Sequence, residues 1–223
     1  MAIVDAADEL NTSAANSLLK IIEEPPDRAL IFILAHKPGM VISTIRSRCH
    51  KLRLNRLNNT EVSQVVLKNW PELTAEATDA LVSMSEGSPG RAIALGEVDG
   101  FGIYSTLVEI MSQVPNIKVE LIHKFADQLS ARRTINSFDL LIELPCWWLS
   151  RMIRWQAEGE THSLNISSEE IDIFSHLLST RSLHQWILIW DKLASIASRG
   201  VTRGLDPRTV SINLLTGLNA ATR

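Results

Sequence analysis

Cysteine is scarce in this chain of 223 residues: there are two, Cys49 and Cys146, and no CxxC pair. That excludes a disulfide framework and a Cys-rich zinc site, and it fits a reducing cytoplasm as the expected location. Long apolar runs are also missing. The longest, Ala29 to Ala35, is seven residues, against the roughly 20 needed to cross a bilayer, so no membrane partner is expected. The opening Met1-Ala2-Ile3-Val4-Asp5 lacks the charged-then-apolar build of a secretory signal. A charge excess of either sign is absent too: 22 Lys+Arg stand against 25 Asp+Glu, net −3, which excludes a strongly basic nucleic-acid coat and leaves room only for a local basic patch. The six histidines are scattered without metal-ligand spacing, so no metal site is expected. The glycine-rich phosphate loop GxxxxGK[ST] does not occur, and there is no internal repeat. With 45% apolar and 21% charged residues, what remains is an ordinary globular chain, long enough for one or two compact units.

The charge that is present is unevenly placed. Residues 1–57 hold 8 cations and 6 anions, residues 58–100 hold 2 and 7, and residues 101–223 hold 12 of each. Arg46, Arg48, Lys51, Arg53 and Arg56 follow one another with no acid between them. Such a run is either a solvated face or a surface that meets phosphate. Arg46, Lys51, Arg53 and Arg56 are therefore candidates for contact with phosphate or DNA.

Ala2-Ile3-Val4 reads as a short buried strand ending at Asp5. Asn11 or Thr12 caps a helix through Ile22, which Pro25-Pro26 stops. Leu30 to Ala35 reads as a second buried strand, Val41 to Ser47 as a short helix, and Lys51 to Leu54, alternating polar and apolar, as a third strand. Strand–helix–strand on continuous apolar strands implies a parallel sheet covered on both faces. Beyond Asn58 only helical patterns remain: residues 60–69 and 74–85, a restart at Arg91 to Leu95 after Gly87-Ser88-Pro89-Gly90, and then segments near 103–113, 117–130, 134–157, 168–179, 181–199 and 207–221. Asp206-Pro207 marks the last helix start, Asp as cap and Pro at the first helical position. Five of the six Trp, at 147, 148, 155, 186 and 190, fall in this helical stretch, where their spacing favours a packed core over a stacking platform.

Two sites of potential chemistry stand out. The first strand delivers Asp5, with Asp8 beyond it, in the place where P-loop NTPases hold a magnesium-binding aspartate. Ala6 stands where a hydrolytic enzyme would need a water-activating glutamate, and it can do no proton chemistry. A capping Asp at a strand end explains Asp5 equally well. Glu23-Glu24, just before Pro-Pro, read as a solvent-facing helix end rather than paired catalytic carboxylates.

Ala14 to Pro26, the apolar strand Leu30 to Ala35, and Ile45-Arg46-Ser47-Arg48-Cys49 together resemble the bacterial clamp-loader family of AAA+ proteins, whose hallmarks follow in this order over about 50 residues. Gly87 to Leu95 resembles the family's sensor-2 segment. The resemblance implies a mainly α fold: a partial AAA+ α/β core with parallel strands over residues 1–57, a helical lid over 58–99, and a helical collar for oligomerisation over 100–223. It implies a nonhydrolytic member, similar to one that does no catalysis alone but works within a replicative polymerase holoenzyme, with Asp5 and Asp8 as a vestigial magnesium-binding motif. Ser47-Arg48-Cys49 matches the family's SRC motif, whose arginine reaches across a subunit interface to the γ-phosphate of a neighbour's ATP; Arg46 is the competing finger, and Cys49 reads as a small packed residue. Arg91 aligns with the sensor-2 arginine, and reads equally as a salt-bridged lid residue. No cofactor is expected on this chain, ATP and magnesium belonging to the neighbour. The implied partners are gamma/tau-type ATPase subunits, a delta subunit and, through the complex, the sliding clamp and primed DNA. The family's N-terminal half, with its P-loop and four-Cys zinc module, has no counterpart here, so an N-terminally shortened member is expected. A fragment of an ATP-hydrolysing gamma/tau-type motor is the alternative, and a helical nucleic-acid-binding module built on the basic run is a third.

Overall fold

A computed structural model describes residues 1–131, 138–159 and 166–222. The chain is mainly α-helical and divides into two compact units, Met1–Asn55 and Arg56–Arg223.

The first unit holds a two-stranded parallel sheet, β1 (Ala2–Val4) on β2 (Ile31–Ile33), with Ile3 opposite Phe32. A 3-10 turn, Ala7–Glu9, leads to α1 (Thr12–Glu23). The Asn11 side chain caps α1 by accepting from the Ala14 N–H at 2.9 Å, as its sequence position predicts. Helix α2 (Ser43–Arg48) follows β2. Both helices pack on one face of the sheet, where Ala7, Ala15, Val41 and Ile45 are buried and Ile33 and Ala35 join them. The other face is open: Ile3, Leu30, Phe32 and Leu34 are all exposed. The expectation of strands buried on both sides is thus corrected, because the helices of this unit lie on one side only. The expected third strand is also corrected. Residues 51–54 join no ladder, and Leu52 and Leu54 are each 81% exposed. Alternation says which face a strand would bury, but a strand exists only where a neighbour completes its backbone bonds.

The second unit is helical throughout its described residues: α3 (Asn59–Asn69), α4 (Ala75–Ser85), α5 (Pro89–Glu97), α6 (Gly100–Ser112), α7 (Val119–Ala131), α8 (Phe138–Ile142), α9 (Leu144–Glu158), α10 (Ser168–Thr180), α11 (Leu183–Thr202) and α12 (Pro207–Ala221). The helix starts are chemically marked. Asn58 with Glu61, Ser167 with Glu170 and Ser182 with Gln185 form capping boxes, each satisfying two otherwise orphaned groups. Asp206 caps α12 ahead of Pro207. The single helix expected over 134–157 is instead broken at Glu143, between α8 and α9, and its residues 134–137 lie outside the described residues. Pro145 accounts for the break: it sits in the first turn of α9, where its missing N–H costs nothing, whereas mid-helix it would clash with the preceding turn.

One continuous apolar core runs from Val62 to Leu218. Helices α3, α4 and α5 pack on one another, α4 and α5 on α6, and α7, α9, α11 and α12 form the bundle beyond. Trp148 and Trp186 are fully buried in it. The ring of Trp148 meets Phe174 edge-on at 4.7 Å, and the Trp186 indole N–H donates to the Leu177 carbonyl at 3.1 Å.

Candidate functional site

The basic run begins on α2. Burial of Ile45 fixes the helix against its core, and this places Arg48, three residues on, at the exposed C-terminal end. Its guanidinium meets the Glu23 carboxylate, at the end of α1, at 2.8 Å, and also donates to the Thr44 carbonyl at 3.2 Å. Both partners of the ion pair are almost half exposed, 43% and 47%. Arg46 turns the other way and donates to the Pro38 carbonyl at 3.2 Å. The Ser47 hydroxyl donates to Thr44 within the same helix, and Cys49 packs at the edge of the small core. Lys51 and Arg53 stand exposed on the irregular segment that follows. Glu23, read from sequence as an idle helix end, is thus the partner of the candidate finger.

The strand-end aspartates have separate roles. The Asp8 carboxylate accepts from the backbone N–H groups of His36 at 3.2 Å and Lys37 at 2.9 Å, tying the 3-10 turn to the chain after β2. Partial loss of water acts to raise its pKa, but these N–H groups and its own hold it below the usual carboxylate range. Asp5 lies 3.8 Å from the His36 ring, both exposed. Among the described residues, no group of three or more His, Cys, Asp and Glu side chains is placed to hold a metal.

In the second unit, Arg91 donates from Nε to the Met84 carbonyl at 2.8 Å, closing the C-terminal end of α4. Arg56 donates to the Glu86 carbonyl at 3.2 Å and faces the Glu86 carboxylate at 3.6 Å. Gly87 makes that approach feasible. Its φ is +80°, and a Cβ there would lie 2.6 Å from the Leu57 carbonyl and 2.8 Å from the Arg56 Cβ, so only glycine lets the incoming chain lie this close.

One arrangement escaped sequence reasoning. Arg151 on α9 and Glu170 on α10 pair at 2.9 Å with side chains 2% and 3% exposed. The Arg151 guanidinium also donates to the Tyr104 hydroxyl at 3.2 Å and lies 4.7 Å above the Trp147 ring. Burial pushes the Tyr104 phenol well above its ordinary pKa, with Arg151 working against that and Glu170 adding to it. The signal was present: Arg151 follows Trp147 by four residues on one helical stripe, and Glu170 completes a Ser-x-x-Glu cap.

Residues 1–58 match the family model described as DNA polymerase III, delta subunit. The chain is 26% identical over 165 residues to DNA polymerase III subunit delta' of Pseudomonas aeruginosa, covering 74% of this chain and 49% of that one. The chain is similar to the DNA polymerase III delta' subunits. The delta' subunit of Escherichia coli (strain K12) is 35% identical over 112 residues, 49% of this chain and 32% of that one. Subunit gamma/tau of Mycobacterium tuberculosis (strain ATCC 25618 / H37Rv) is 46% identical, but over 48 residues only, 22% of this chain and 8% of that one. The chain spans about half the length, or less, of the delta' relatives it matches. The clamp-loader resemblance drawn from the motifs and these matches point to the same group of DNA polymerase III subunits. No helix among the described residues is long and apolar enough to cross a membrane.

Proposed function

We propose that this chain is a nonhydrolytic, delta'-type subunit of the clamp loader within the DNA polymerase III holoenzyme. It supports ATP-dependent loading of the sliding clamp on primed DNA, and it offers Arg48 to ATP and magnesium held by a neighbouring gamma/tau-type subunit. The observation that carries this reading is the state of Arg48: at a helix end, exposed, and paired only to side chain and backbone groups that water also reaches. An exposed ion pair is worth about 0–1 kcal/mol, so exchanging Glu23 for a phosphate costs little. The guanidinium fork is permanently charged and matches the oxygens of a transferring phosphoryl group. Arg46 is the second candidate for the same role, Lys51 and Arg53 are candidates for phosphate or DNA contact on the same unit, and Arg56, at the start of the second unit, is a further one.

Ala6 beside Asp5 supports the nonhydrolytic part, since this chain then lacks the carboxylate that would activate water. The gamma/tau alternative has only the 48-residue similarity behind it, whereas the delta' similarity extends over 165 residues. In this reading residues 58–99 act as a lid braced by Arg91, and 100–223 as the collar that joins subunits.

The test is sedimentation of the chain with gamma/tau-type and delta subunits, followed by the ATPase rate. Arg48→Ala is expected to leave assembly intact and lower the rate at the site it faces by more than about ten-fold, arginine fingers being worth roughly 10³–10⁵ in kcat. An unchanged rate rejects the finger. Failure of the folded chain to assemble rejects the subunit role.

A further inference from the structure

A cleft of about 390 Å³ opens in the second unit between the chain entering α3, the end of α4, and α9. That lies within the roughly 300–1,000 Å³ of small-molecule sites. Arg56, Arg151 and Arg154 are among its lining residues, the Arg151 side chain being buried, and Glu86 is the one acidic residue of the lining. The charge of Arg151 is matched behind the wall by Glu170 at 2.9 Å. Arg56 and Arg154 share the Glu86 carboxylate, at 3.6 Å and 3.4 Å, and otherwise donate to backbone carbonyls, Arg56 to Glu86 at 3.2 Å and Arg154 to Ser150 at 3.4 Å. Well-formed bonds between guanidinium and carboxylate close to about 2.7–2.9 Å, so a single carboxylate under-fills the seat in both distance and charge. Glu86 holds this place from a left-handed backbone, φ 50°, a conformation that non-glycine residues seldom adopt. Trp147 also lines the cleft, and its indole N–H is buried without a partner, which is unusual for a buried donor.

We propose that this cleft binds a small phosphorylated ligand whose phosphate sits between Arg56 and Arg154 in the place Glu86 now fills. A tetrahedral dianion carries more acceptors and more charge than one carboxylate, and it spans two forks that the carboxylate reaches only loosely. Glu86 is then an internal competitor that bridges the two arginines until the ligand displaces it. This assignment concerns the helical unit and does not depend on Arg48 or on assembly with other subunits.

The test is calorimetric titration of the full chain with pyrophosphate and, separately, with ADP, in buffer free of phosphate and sulfate. Glu86→Gln is expected to tighten pyrophosphate binding by about ten-fold, and Arg154→Gln to weaken it by at least as much, the scale of one hydrogen bond to a charged group. Circular dichroism establishes that each variant is folded. Equal affinity for the two probes means that the phosphate alone is read; tighter ADP binding means that the nucleoside contributes as well. Saturation of folded Glu86→Gln by neither probe overturns the proposal. So does binding that survives Arg154→Gln but is lost in Arg48→Ala, which would place the anion on α2 instead.

Discussion

At the scale of single residues, environment separates side chains that sequence cannot. The two cysteines are chemically alike on paper. Burial pushes the Cys146 thiol up to about 12, with Glu143 adding to the effect, while Cys49 is only partly covered. Since the thiolate is the nucleophile, iodoacetamide at neutral pH is expected to label Cys49 alone, with Cys146 reacting only after unfolding; mass spectrometry of the peptides checks this, and rapid labelling of Cys146 would contradict the packing described. The arginines divide in the same way. Arg48 and Arg151 each hold a glutamate at close to 2.9 Å, yet one pair is open to water and the other sealed. The sealed pair is the costly one to break: removing one partner strands a buried charge, at about 3–5 kcal/mol. Glu170→Ala is therefore expected to destabilise the chain by that amount in urea unfolding, and Arg151→Met added to it should recover much of the loss. Glu23→Ala, the comparison from the open pair, stays within about 1 kcal/mol.

At the scale of elements, what sequence conveyed was whatever is decided locally. Helices α1, α3, α10, α11 and α12 begin where a Ser, Thr, Asn or Asp side chain can bond the backbone just beyond it, and that chemistry is written within four residues. What was missed depends on distant parts of the chain. Residues 51–54 carry a strand pattern but have no neighbouring strand. The break at Glu143 is different: Pro145 sets it locally, and the helical periodicity on either side masked that stop. The pairing of Glu23 with Arg48 joins residues 25 apart in sequence, and Arg151 reaches Tyr104, 47 residues before it. No local rule brings such pairs together. The family motifs supplied the candidate role of Arg48, and the fold supplied its partner.

At the scale of the whole molecule, the two units differ in how much they bury. The first rests on four buried apolar residues, Ala7, Ala15, Val41 and Ile45, while the second has a core continuous through its helices. Local opening follows the supply of buried apolar contacts. Amide hydrogen exchange in native conditions is accordingly expected to be fast in β1 and β2 and slowest in α9 and α11; uniform protection across both units would contradict this.

The bare side of the small sheet has a practical consequence. Ile3, Leu30, Phe32 and Leu34 present oily side chains to water, and a two-stranded sheet has two free rims of peptide groups beside them. To a quality-control chaperone that samples extended greasy segments, this folded protein looks like one still being made. In concentrated solution those few residues are the expected points of self-association, whatever the strength of the helical core.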